Sequence, residues 1–189
     1  MASRPSRRRQ DLDRTFKLLS LWASYPDDWL LDARADLSGA ATGLRPPTRA
    51  PLAAFLDWWR RAPSEELRAA YVGAFDLAAA TTLHLTYHVW GDARERGAAL
   101  ADLNRRFRAA GLRLAAWELP DHLPLLLEFA AAHPPAGVPI LQEYRAPIAT
   151  VEGRLREAGH PYAPLLTAIV AAIPPPAGLL LGRAPEGGD

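Results

Sequence analysis

The chain has 189 residues, with 22 Lys and Arg against 21 Asp and Glu, and 49% of it is hydrophobic. That apolar fraction is ample for one buried core, and a formal net charge of +1 argues against a dedicated nucleic-acid binder, which shows a clear basic excess. Cysteine is absent, which excludes disulfides, thiolate catalysis, iron–sulfur ligation and cysteine zinc sites within this chain.

Alanine and leucine dominate the apolar residues and β-branched residues are few. This balance favours helix over sheet, because Ala and Leu lose little side-chain entropy in a helix. No run approaches the roughly 18 uncharged apolar residues of a membrane span. Residues 1–10 read as a solvated basic tail. Ser6-Arg-Arg-Arg-Gln-Asp-Leu12 has the outline of a twin-arginine export signal, but Asp11, Asp13, Arg14 and Lys17 fill the place of its apolar region. A cytoplasmic protein is expected. From Asp11 onward, Phe16, Leu19, Leu21 and Trp22 recur at helical spacing, with Asp11 or Asp13 available as the cap. Tyr25-Pro26 breaks that helix. Pro26, Asp27 and Asp28 then open a second one, which buries Trp29, Leu30, Ala33 and Leu37. The glycines and prolines between Ser38 and Pro51 read as a loop. A third helix from about Pro51 to Arg61 buries Leu52, Phe55, Leu56 and Trp59, and Pro63-Ser64 begins the next as a capped entry.

From Leu67 to Trp90 apolar residues occupy nearly every face, which marks a buried helix or a broken pair. Gly91-Asp92 ends it, and Asp92 is placed to cap a helix carrying Leu100, Leu103 and Phe107. Residues 112–117 leave a short strand and a loop both open. Asp121 is the expected N-cap of a helix reaching about Ala132, and His133 to Gly137 reads as a turn. Val138, Leu141, Tyr144, Ile148, Val151 and Leu155 predict a helix over Pro139–Glu157, kinked at Pro147. Tyr162–Ile173 is the last helix, and residues 174–189 read as a disordered tail. The fold class expected is all-α, a single-domain bundle of about eight helices over residues 11–173.

Three constellations carry possible chemistry. His84 and His88, four apart, would share one face of a helix with Asp92 a turn further on, the spacing of a metal site. The metalloprotease pattern requires glutamate directly after the first histidine, and Leu85 stands there. Glu118, Asp121 and Glu128 form an acidic group suited to proton transfer. Capping by Asp121 and an ion pair from Glu118 to Arg94 or Arg96 explain two of the three without catalysis. Gly91-Asp-Ala-Arg-Glu-Arg-Gly97 lacks both phosphate-binding patterns and reads as a helix boundary. The serines lack a nucleophile-elbow pattern. A binding protein is favoured over an enzyme, with no metal and no cofactor expected, and a metal-dependent hydrolase using His84, His88 and Asp92 is the competing reading.

Four blocks, Tyr71-Val-Gly-Ala-Phe-Asp76, Leu83-His-Leu-Thr-Tyr87, Gly91 to Gly97 and Glu118-Leu-Pro-Asp-His-Leu-Pro-Leu-Leu-Leu-Glu-Phe129, follow in an order and spacing that resembles the NarJ family. These are respiratory nitrate reductase assembly chaperones, within the wider TorD/DmsD group of redox-enzyme maturation proteins. The resemblance implies an all-helical, non-enzymatic chaperone. It would bind the N-terminal peptide of the catalytic (alpha) subunit of a molybdoenzyme, hold it for molybdenum-cofactor insertion, and delay docking on the membrane subunit. A client molybdoenzyme other than nitrate reductase is the near alternative. The Glu118-to-His122 corner is similar to the group's acid-proline-Asp-His signature. The resemblance implies that Glu118, Asp121 and His122 shape the peptide groove with Tyr71, Phe75 and Asp76. Ala93 departs from the threonine expected after Gly91-Asp92, and Ala78 to Ala80 is blander than the family pattern. A helix-in-groove mode calls for an apolar channel with acidic rims. Leu123 to Leu127, Leu126 among them, and Tyr87 would supply the channel, with Asp76, Glu118, Asp121 and Glu128 as the rim.

Overall fold

Eleven α-helices form among residues 7–175, the part of the chain that the computed structural model describes. They are α1 (Arg7–Trp22), α2 (Asp28–Asp32), α3 (Arg34–Ala40), α4 (Pro46–Arg61), α5 (Ser64–Tyr71), α6 (Tyr87–Trp90), α7 (Glu95–Ala109), α8 (Leu123–Ala132), α9 (Pro134–Glu143), α10 (Arg145–Glu157) and α11 (Ala163–Ala172). No helix among these residues is long and apolar enough to cross a membrane. The expected tails fall mostly on residues 1–6 and 176–189, outside the described residues. Residues 7–10 already belong to α1.

Two distant pairings build the core. α1 lies along α8 and α4 lies along α11, while α9 backs α8 and α10 backs α11. Phe16, Leu19 and Trp22 of α1, Leu126, Leu127 and Phe129 of α8, and Leu165, Leu166 and Ile169 of α11 are all buried in one hydrophobic cluster. Each such side chain contributes about 1.5–3 kcal/mol on leaving water. The Ser20 hydroxyl donates to the Pro124 carbonyl at 2.8 Å, tying α1 to the first turn of α8. At the other end Phe55 stacks on Trp59 with ring centres 5.7 Å apart, and Tyr162 sits 5.5 Å from Phe55. A Cβ added at Gly137 would stand 2.5 Å from the Ala130 Cα, so α9 crosses α8 backbone against backbone.

The all-α class agrees with the reading from sequence, but several boundaries move. Ser38 to Pro51 is mostly helical: α3 runs to Ala40, a 3-10 turn covers Ala41–Gly43, and α4 starts at Pro46. Pro46 and Pro47 occupy the first turn, where a missing N–H costs nothing. His133 to Gly137 is likewise the start of α9, with prolines in its first turn. The single helix expected over Pro139–Glu157 breaks at Tyr144. Pro147 has no N–H for the carbonyl four residues back, and the chain parts beside that carbonyl. Asp27 caps α2, its carboxylate accepting from the Leu30 amide at 2.8 Å. Ser64, Asp92 and Asp121 are not caps. α5, α7 and α8 begin behind Pro63, Arg94 and His122, none of which makes a side-chain capping bond.

The largest departure concerns Leu67–Trp90. α5 gives way to a π-helical turn over Val72–Asp76, a 3-10 turn over Ala79–Thr81, an extended stretch and the short α6. The broken reading of this segment holds, with more breaks than a pair. These interruptions position the site.

Candidate functional site

The extended stretch after Thr81 meets the chain entering α8. The Leu85 amide donates to the Asp121 carbonyl at 3.1 Å and the Leu123 amide donates to the Leu83 carbonyl at 2.9 Å. His84 and His122 thereby pair in an isolated antiparallel bridge. Successive side chains of extended chain point to opposite sides. Leu83, Leu85 and Leu123 are buried, so His84 and His122 turn outward, their rings 5.1 Å apart.

One carboxylate holds this crossing. Asp121 is fully buried. Its Oδ1 accepts from His84 Nδ1 at 3.1 Å, and its Oδ2 accepts from the Thr86 amide at 3.2 Å and from the Thr86 hydroxyl. The Arg96 guanidinium lies 3.6 Å from Oδ2, donates through Nε to the Thr86 hydroxyl at 3.0 Å, and sits 5.7 Å over the Tyr87 ring. Burial alone would raise the Asp121 pKa. The hydrogen bonds from His84 and Thr86, with the charges of His84 and Arg96, outweigh burial and hold it below the usual carboxylate range. Burial, then repulsion from His84, pushes His122 down to about 4. His88 is also lowered, chiefly by burial, although its Nε2 lies 2.7 Å from the Thr82 carbonyl.

Beside the bridge opens a cleft of about 190 Å³, lined by Tyr71, Phe75, Asp76, Thr82, Leu83, His84 and His122. Tyr71 and Phe75 form an aromatic floor, with ring centres 5.1 Å apart. Tyr25, 44% exposed, abuts Tyr71 edge-on at 5.5 Å, and Leu77, the residue after Asp76, is 79% exposed. Burial, and then the nearby Asp76 carboxylate, raise the Tyr71 pKa and keep its hydroxyl protonated.

Of the residues expected to form a groove, Tyr71, Phe75, Asp76 and His122 do share this cleft. The others stand elsewhere. Asp121 is buried behind the bridge and is no rim, because its oxygens are taken up by His84, Thr86 and Arg96. Leu126 lies in the core with no exposure, since α8 turns that face inward. Glu128 forms an exposed ion pair with Lys17 of α1. Glu118 is exposed, and its Oε2 accepts from the Ala115 amide at 3.0 Å rather than pairing with Arg94 or Arg96. Tyr87 is half-buried under Arg96. Residue-by-residue reading missed the partners Thr82, Thr86, Arg96 and Tyr25, and it weighed His84 only as a ligand. The alternation Leu83-His-Leu-Thr86 was the available signal for extended chain.

The competing metal reading loses its geometric premise. His84 precedes α6 in extended chain, so the four-residue spacing does not place it on one helical face with His88. No group of three or more candidate ligands gathers among the described residues. Glu118 and Asp121 do not face a common space as an acid–base pair, one being exposed and the other buried.

Comparison with known proteins gives a consistent result. Residues 41–168 match the family described as nitrate reductase delta subunit. The chain is 34% identical over 158 residues to the nitrate reductase-like protein NarX of Mycobacterium tuberculosis, covering 83% of this chain but only 24% of that protein. It therefore spans about a quarter of NarX. It is 33% identical over 164 residues to a Bacillus subtilis protein assigned as the nitrate reductase molybdenum cofactor assembly chaperone NarJ, covering 84% of this chain and 88% of that one. The chain is 40% identical over 101 residues to the Escherichia coli nitrate reductase molybdenum cofactor assembly chaperone NarJ, covering 53% of this chain and 43% of that protein. The fold matches that of a candidate redox enzyme maturation protein from Archaeoglobus fulgidus, with a TM-score of 0.64, 22% identity, and coverage of 90% of this chain and 96% of the other.

Proposed function

The chain belongs to the nitrate reductase delta subunit family, and from that membership we propose that it is a cytoplasmic assembly chaperone for a respiratory nitrate reductase rather than a catalyst. In this reading it holds the catalytic subunit ready for molybdenum-cofactor insertion and releases it for docking on the membrane subunit. Its handle is the N-terminal peptide of that subunit, bound at the cleft beside the His84–His122 bridge.

The observation that carries the peptide reading is the make-up of that cleft. An aromatic floor from Tyr71 and Phe75 suits an apolar side chain, and exposed Asp76 at the edge suits a basic one. Exposed Tyr25, edge-on to Tyr71, and exposed Leu77, next in sequence to Asp76, add apolar surface nearby. Asp121 acts through position, setting the bridge that aims His84 and His122 at the opening. A volume of about 190 Å³ takes one or two side chains, so binding is modest per site and costs the ordering of the peptide.

Calorimetric titration of the intact protein with the N-terminal peptide of the cognate catalytic subunit tests this. Asp76→Lys reverses the edge charge and lowers affinity by roughly tenfold without loss of stability. Absence of binding by the unaltered protein sinks the proposal. Equal binding of a peptide from an unrelated molybdoenzyme would reassign the client.

A further inference from the structure

The floor of the cleft has an unused donor behind it. Tyr162 at the start of α11 is fully buried, and its hydroxyl has no hydrogen-bond partner among the described residues. Buried polar groups in native proteins are nearly always paired, so one that is not calls for a reason. Asp13 Oδ1 and the Trp22 and Trp59 indoles also lack a partner among the described residues. Tyr162, which packs on Phe55 as the two indoles do, also touches both residues of the cleft floor, with ring centres 5.1 Å from Phe75 and 6.0 Å from Tyr71. Burial, then the neighbouring Tyr71, raise its pKa and keep it a donor.

Phe75, in edge contact with the Tyr162 ring, sits on the least regular part of the α5 segment. Phe75 belongs to the π turn Val72–Asp76, closed by the Leu77 amide on the Val72 carbonyl at 3.0 Å. Single π turns are rare and recur at functional sites. This one is held further by the Thr81 hydroxyl, which donates to the Ala74 carbonyl. Gly73 within it has open space around the position of a Cβ, so nothing packed against that point resists movement.

We propose that the cleft is the closed form of a deeper pocket, in which the π turn swings Phe75 aside and the Tyr162 hydroxyl donates to a backbone carbonyl of the docked peptide. The proposal rests on the peptide reading above. Closed, the cleft presents the Tyr71 and Phe75 rings at its floor; open, it adds one directed bond from Tyr162 that reads main chain whatever the side chains are. The hydroxyl left unpaired in the free protein is the cost that peptide binding relieves.

The test is Tyr162→Phe in the full chain, with the same peptide titration, a thermal melt, and 3-fluorotyrosine placed at position 162. The expected result is affinity reduced by roughly fivefold, the value of one neutral hydrogen bond. The melting temperature of the free variant is unchanged or higher, and the fluorine resonance shifts on saturation with peptide. If the unaltered protein binds and Tyr162→Phe binds equally, with a fixed fluorine resonance, the deeper pocket is wrong while the peptide site stands. If the free variant melts at a lower temperature, the hydroxyl is structural and the inference is overturned. If the unaltered protein does not bind, the peptide reading itself falls and takes this one with it.

Discussion

The α1–α8 interface and the chain that leads into α8 are neighbours held by opposite means. The interface is apolar and redundant: Phe16, Leu19, Trp22, Leu126 and Leu127 share the burial, and loss of one leaves the rest in place. The crossing just before it depends on a single buried carboxylate, on which two backbone segments, a histidine, a threonine and an arginine converge. A packed face spreads its energy over many side chains. A crossing of irregular chain has to satisfy each polar group individually, and so concentrates control in one residue.

The sharpest way to break the contrast is Asp121→Ala. It strands Arg96 and Thr86 in a partly buried setting and should cost about 3 kcal/mol, read from the denaturant midpoint. A loss under 1 kcal/mol would show the crossing to be as redundant as the helix faces. Gly137→Ala probes the packed side, where the new Cβ meets the Ala130 backbone. Alanine is the better helix former by up to about 1 kcal/mol, but backbone cannot yield to a Cβ at that distance, so a net loss of roughly 2 kcal/mol is expected in a thermal melt.

Acid separates the two regions next. His122 is held down to about 4 from an ordinary value near 6.5. The unfolded chain therefore takes up this proton first, and stability falls as pH drops from 6.5 through 4, then levels off with respect to this group. The full shift would be worth about 3 kcal/mol, and the partial exposure of His122 screens this to a loss on the order of 1–2 kcal/mol over that window, which His122→Gln should flatten. Asp121 has the same sign at lower pH: its lowered pKa supplies stability above about 3.8 that is lost as pH falls further. The smallest effect belongs to the exposed Lys17–Glu128 pair, with both side chains about half exposed. Lys17→Ala should change stability by less than about 0.5 kcal/mol, and peptide affinity not at all.

The helices were legible wherever a 3-4 apolar stripe met solvent on its other side, as in α4 and α10. The family was legible from four spaced blocks, and the later comparison agrees with it. What sequence did not reveal was which polar residues point inward. Asp121 before an apolar helix has the pattern of a cap, and only the approach of residues 83–86, thirty-five and more positions earlier, turns its carboxylate into the core. Leu126 and Glu128 lie two apart on α8 and so on opposite faces of the helix, and that spacing already separates core from surface. The π turn is a tertiary effect as well, since Val72–Asp76 carries no proline to announce it.

The pairing of α1 with α8 also sets a timetable. Ser20 and Pro124 are 104 positions apart, and α4 reaches its partner only when α11 exists. Contacts so far apart in the chain close late and slow folding below the pace of bundles built from adjacent helices. A ribosome extruding this chain would release its first helix long before there was anything for it to lie against. The chain thus spends much of its own synthesis with its apolar stripe uncovered.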